Sequence, residues 1–310
     1  MPESRFVVDD GAFSLDDVPE AERADSLMAL IEQLDALRVI GENIQLVENW
    51  GAVECLEGND LAETIINGPF LDFEQSQRLL FLLDRCVAWN RAYPVKFDSE
   101  IVVSGRLLKG EGIAWAREQA ILRYWTAVVT TQHRLTPGIH SVDEPARSLP
   151  VDVYFAASAE HHPGFYRLLC EWEDVSESEF FERTRLAFPR LVFPENISFR
   201  SFQGAYRTLR PTVVNHLGRI NDYFPEVYAA ENGMSNEISI RLGIEVSIEG
   251  NTRGSQRLMR LRDVEYCGKV YRCEWHSKLE PHRNRIHFCV MDDVGETKIL
   301  IGIFHEHLPT

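Results

Sequence analysis

The chain has 310 residues, 48 acidic side chains against 32 basic ones, and a formal charge of −16. Hydrophobic residues make up 45% and charged ones 26%, the balance of a folded globular protein and not of a disordered one. The acidic N-terminus MPESRFVVDD lacks a basic and apolar leader, no apolar run is long enough for a membrane span, and the six cysteines include no CxxC pair, so the expected setting is the cytoplasm, with reduced thiols and no membrane.

The charge is concentrated at the front. Residues 1–90 hold 19 Asp/Glu against 5 Lys/Arg, whereas residues 253–310 hold 10 Lys/Arg, 8 Asp/Glu and five of the ten histidines. Residues 1–90 are therefore expected either as a solvated acidic surface or as an acidic module facing a basic site, as an internal lid or as a docking face for a basic protein partner.

In chain order, Leu27, Leu30, Ile31, Leu34 and Leu37 recur at helical spacing between Pro19 and Gly41, which predicts an amphipathic helix. Asp72 with Gln75 reads as a capping box for a second helix, and its run Leu79–Leu83 suggests burial. A third helix is expected over Glu111–Thr130, with Trp115, Leu122, Trp125 and Val129 on one face. Val151–Ala157 reads as a short strand, Ser176 with Glu179 as another capped helix start, and Pro211 as the opening of a helix reaching Tyr223. After Gly233 the period changes. Ile238 to Ile248 alternate as in a half-buried strand, and further strands are expected at Leu258–Val264, Val270–Lys278, Arg285–Met291 and Lys298–His305. Gly268, Pro281/Asn284 and Gly295 mark the turns. The expected fold class is α+β: an acidic, mainly helical module over residues 1–190, then an α+β domain over 191–310 built on a small antiparallel β-sheet.

Alternation along Val270–Lys278 places Glu274, His276 and Lys278 on one face, and on the next strand Arg285 and His287 lie together. The apolar last strand delivers His305 and His307 at its end. If these strands are neighbours, their polar side chains converge on one surface. Arg and Lys can hold a phosphate there, and a carboxylate or imidazole can move protons.

The stretch Asn284–Asp293, followed by Lys298–Ile301 and the terminal His305 and His307, resembles the end of RelE/YoeB-type toxins. That resemblance covers about forty residues and implies metal-independent cleavage of mRNA on the ribosome. Carried over by position, it makes Glu274 a candidate base, Arg285 a phosphate clamp, and His305 or His307 a candidate acid.

The expected function is thus a bacterial toxin or defence effector that cleaves RNA without metal or other cofactor and is regulated by the acidic helical module. Glu274 or His276 acts as base, Lys278 and Arg285 clamp phosphate, and His287, His305 or His307 serves as acid. Two alternatives stand beside it. One is a non-enzymatic assembly subunit, and the other a metal-dependent hydrolase using His276, His287 and His305 with Glu274. The turn Glu249–Ser255 reads as a polar hairpin connection in which Arg253 could touch a phosphate. No P-loop, dinucleotide fingerprint, nucleophile elbow or EF-hand loop is present.

Overall fold

The computed structural model describes residues 4–89, 100–144, 150–231, 233–291 and 297–309. The expected turn at Gly295 and the acidic pair Asp292–Asp293 lie outside the described residues. The chain divides into two compact units, Met1–Phe165 and Tyr166–Thr310. The expected boundary at 190/191 falls inside the second.

The first unit contains β1 (Phe6–Val8), α1 (Glu20–Val39), β2 (Ile44–Leu46), β3 (Glu54–Leu56), β4 (Asn59–Asp60), α2 (Leu61–Asn67), α3 (Phe73–Asp84) and β5 (Val87–Ala88). It continues with β6 (Ile101–Val103), β7 (Arg106–Leu108), α4 (Glu111–Ile121), β8 (Ala127–Val129), β9 (Gly138–Asp143) and β10 (Val151–Ala156). Eight of these strands form one sheet in the order β5-β2-β1-β8-β10-β9-β6-β7. From β5 to β10 the pairings are parallel; from β10 to β7 they are antiparallel. Val7, Val128, Val153 and Phe155 on one face bury against Ile113, Trp115 and Ala116 of α4.

This sheet corrects the expectation of a mainly helical front. The α+β class stands, but strands occur in both units. Most of the strands missed have two or three residues, such as Ala127–Val129, too few to display a period. The expected helix from Glu111 to Thr130 accordingly stops at Ile121, and Val129 ends β8. Elsewhere the local signals hold: α1 spans the expected residues, the capping boxes at Asp72/Gln75 and Ser176/Glu179 both form, and β10 covers all but the last residue of its expected strand.

Next comes α5 (His162–Trp172), followed in the second unit by α6 (Glu177–Ala187), β11 (Leu191–Val192), α7 (Tyr206–Ala230), α8 (Ser235–Leu242) and β12 (Val246–Ile248). The chain ends with α9 (Gln256–Met259), β13 (Asp263–Tyr266), β14 (Lys269–Arg272), β15 (Trp275–Lys278), β16 (Arg285–Met291) and β17 (Lys298–His305). The central sheet has the order β11-β17-β16-β15-β12, antiparallel except for β11 against β17. β13 and β14 form a separate hairpin through Cys267 and Gly268, both at positive φ.

Four expectations change here. The strand at Ile238–Ile248 is instead α8, closed by Gly243 in the left-handed conformation, then a turn and β12. Its buried pair is Ile238 and Leu242, one helical turn apart, while Ile240 is 73% exposed. Leu258–Val264 is largely helical, and the expected strand Val270–Lys278 breaks between Arg272 and Trp275 into members of two sheets. Pro211 lies inside α7 and does not open it.

Candidate metal centre

The adjacency that the sequence left conditional is present. β15 pairs with β16 so that His276 faces His287 and Lys278 faces Arg285, and β16 pairs with β17 so that Arg285 faces His305. On the other side β12 aligns Ser247 with His276. Strand alternation therefore produces two polar rows on one face, Ser247–His276–His287 and Lys278–Arg285–His305. The opposite face carries Trp275, Ser277, Ile286 and Phe288. There Phe224 of α7 packs edge-on to Phe288 with ring centroids 4.9 Å apart, and His216 Nδ1 lies 2.6 Å from Ser277 Oγ.

The two histidines of the first row are closed off from solvent, while Ser247 is half-buried. His287 is 0% exposed, His276 6%, and Glu249, just past β12, 3%. The backbone N–H of Glu249 donates to the Glu274 carbonyl at 2.9 Å, which holds the segment against the sheet. Arg262, fully buried, donates to the carbonyls of Leu258 (3.0 Å) and Pro309 (3.3 Å).

Glu249 Oε1 is the focus of this cluster. It lies 2.8 Å from Arg262 Nε, 3.3 Å from His276 Nδ1 and 3.8 Å from His287 Nδ1. These are charge contacts lacking hydrogen-bond angles: Glu249 Oε1, Arg262 Nε, His276 Nδ1 and both ring nitrogens of His287 are buried without a hydrogen-bond partner among the described residues. Burial pushes the Glu249 carboxyl up, but His276 and Arg262 outweigh it and pull it down to about 2. Burial likewise pulls His287 down to about 3, so its imidazole is neutral near neutral pH. His276 Nε2 lies 2.9 Å from Ser247 Oγ. A tautomer that donates from Nε2 to Ser247 would leave a lone pair on Nδ1, 3.3 Å from Glu249 Oε1.

A carboxylate oxygen and two imidazole nitrogens all lie within 4.8 Å of one another, donors that could hold a metal ion. In a tetrahedron of zinc bonds near 2.05 Å, ligand atoms stand about 3.3 Å apart. Glu249 Oε1 stands 3.3 Å and 3.8 Å from the two Nδ1 atoms, so small side-chain adjustments would admit the ion.

The other expected site residues divide. Lys278 joins Glu245 in an ion pair. Arg285 is half-buried, and burial lowers its affinity for a proton despite Glu249 and Glu245 nearby. His305 Nδ1 accepts from the backbone N–H of His307 at 3.1 Å. Glu274 is the clearest correction. It follows the break that separates β14 from β15, and its carboxylate takes Arg253 at 2.6 Å, so it is not the acid beside the histidines. His307 is exposed past the end of β17. The metal set expected from His276, His287, His305 and Glu274 thus becomes His276, His287 and Glu249.

Sequence reasoning missed Glu249 and Arg262. Glu249 reads from the sequence as part of a polar turn, although it continues the alternation that puts Ser247 on the polar face. Arg262 fell in a segment expected as strand and lies in a short 3-10 turn. Comparison with family models, with curated proteins and with solved structures finds no match for this chain.

Proposed function

We propose that the second unit is a metal-binding module that holds one zinc-class divalent ion through Glu249 Oε1, His276 Nδ1 and His287 Nδ1. The observation that carries this reading is His287, wholly buried with neither ring nitrogen partnered among the described residues. An unpaired polar group in that position costs about 1–3 kcal/mol, which a metal bond to Nδ1 offsets. Ser247 would fix the His276 tautomer, as outer groups do around metal-bound imidazoles. The ion would tie the end of β12 to β15 and β16. Three protein ligands leave a fourth position for water, whose proton a bound zinc ion makes easier to remove.

The test is elemental analysis of the full chain after equilibration with zinc and removal of excess. Near one ion per chain is expected, with His287→Gln weakening affinity at least about 100-fold, since losing only an outer partner already costs 10–100-fold. Zinc at 100 times its Kd should also stabilise the fold by about 2.7 kcal/mol. Substoichiometric metal in the native chain, or equal binding by His287→Gln, would refute the proposal.

Phosphodiester chemistry is kept as a second reading because Arg285, half-buried with Nε unpartnered, sits in register between Lys278 and His305. Its acid would be His305, because buried, neutral His287 is unsuited to deliver a proton to a polymer. RNA cleavage that is lost in both Arg285→Ala and His305→Ala would support it; cleavage undiminished in both would end it. Residues 1–90 are the surface proposed for a basic protein partner.

A further inference from the structure

The first unit carries a second site, independent of the metal centre. In its sheet β1 lies between β2 and β8. From β1 the chain passes through α1 to β2 on one side, and from β8 it passes through β9 to β10 on the other. The crevice beyond the carboxyl ends of β1 and β8 is thus a switch point, where open parallel sheets bind ligands.

A cavity of about 500 Å³ occupies that end, within the range of small-molecule sites. Its floor is organised by a fully buried carboxylate. Asp9 accepts from Arg134 Nε at 2.6 Å, from Thr130 Oγ1 at 3.1 Å and from the Gly11 N–H at 3.0 Å. Arg134 is held further by the Lys109 carbonyl, and its own carbonyl accepts from Arg106 Nη1 at 3.2 Å. A side chain at Gly11 would collide with the Arg134 guanidinium, so this glycine keeps the crevice open to the base of the site. Asp10 accepts from the Gly112 N–H at 2.8 Å, which fixes the start of α4 beside the cavity.

The lining is two-signed. Arg106, Lys109 and Arg134 supply positive charge; Asp10, Asp16, Asp17 and Glu54 supply negative charge; Val18, Val53 and Leu108 add apolar surface. A bare anion would face the carboxylates and a bare cation the guanidinium groups. A ligand that carries both signs and an apolar body satisfies all three surfaces.

We infer that this cavity binds a nucleoside phosphate complexed with magnesium. The phosphates lie toward Arg106 and Lys109, the ion toward Asp16 and Asp17, and the base toward the apolar side chains. Arg134 is a positioning residue, held by Asp9.

Isothermal titration of the full chain with ATP or GTP plus magnesium, with magnesium alone and with inorganic phosphate alone tests this. Saturable binding is expected only for a nucleotide with magnesium. It should weaken about tenfold or more in Lys109→Ala and in Asp17→Asn, both at exposed positions. A His287→Gln chain should bind the nucleotide as well as the native protein does, which separates this site from the metal centre. Absence of nucleotide binding, equal binding by both cavity variants, or binding of phosphate alone with the same affinity would overturn the inference. So would binding confined to an RNA oligonucleotide.

Discussion

His287 concentrates the chemistry of the second unit in one side chain. On an isolated strand it is a polar residue among Ile286, Phe288 and Val290, and alternation correctly assigns its face. That this face is sealed at His287, and that Glu249 closes on it, depends on residues 25 and 38 positions upstream, Arg262 and Glu249, whose segment reads as strand and turn. His216, on the other face, supplies a separate prediction. Burial pulls it from the ordinary 6.5 down to about 4, so the unfolded chain binds the proton more readily than the folded one. Its contribution is therefore fully present above pH 6.5 and is lost as pH falls toward 4. A shift of this size corresponds to on the order of 3 kcal/mol. His162, pulled to about 4 by burial, adds to the slope in the same window. Unfolding by denaturant at several pH values should show stability falling across this range, and less steeply in His216→Asn. An unchanged slope in that variant would show that His216 is not one of the groups responsible.

At the level of elements, legibility follows length and capping. β16 and β17 have seven and eight residues and match their expected spans, because a long apolar alternation has few competing readings. The short parallel strands of the first unit lack such a pattern and form because β1, β8 and β10 align beneath α4. At α8 the sequence Ile238–Ser239–Ile240–Arg241–Leu242 suits either period; the left-handed Gly243 decides for helix. The break after Arg272 was equally hidden, and it moved Glu274 from the expected site to Arg253. Between β16 and β17 the register shifts, with His287 opposite Ile303 and Phe288 opposite Ile301. Gly302 is the extra residue of this bulge. A Cβ there would collide with Cys273 Sγ and come within 2.8 Å of Val264 Cγ2. Gly302→Ala should therefore cost about 1–3 kcal/mol by overpacking. Gly254→Ala, which meets open space, should be close to neutral. Equal thermal midpoints for the two variants would contradict this packing argument.

For the molecule as a whole, the charge of −16 has a different meaning once the fold is known. The acidic stretch 1–90 is not a separable module, since β1 pairs with β8 within one sheet. Its acids include Asp9, which holds the cavity-lining Arg134 from beneath, and Asp16 and Asp17, which line the cavity. Among the described residues no helix is long and apolar enough to cross a membrane. The histidine-rich tail divides between the buried pair His276 and His287 and a half-buried row, and the buried pair is the one with a carboxylate and, among the described residues, unpartnered nitrogens. The most direct test is an anomalous-difference map from crystals of the full chain grown with zinc and measured at the zinc absorption edge. The account predicts one strong peak about 2.0–2.2 Å from Glu249 Oε1, His276 Nδ1 and His287 Nδ1. A map with no peak among those three atoms, or with zinc bound only at surface histidines, would contradict it.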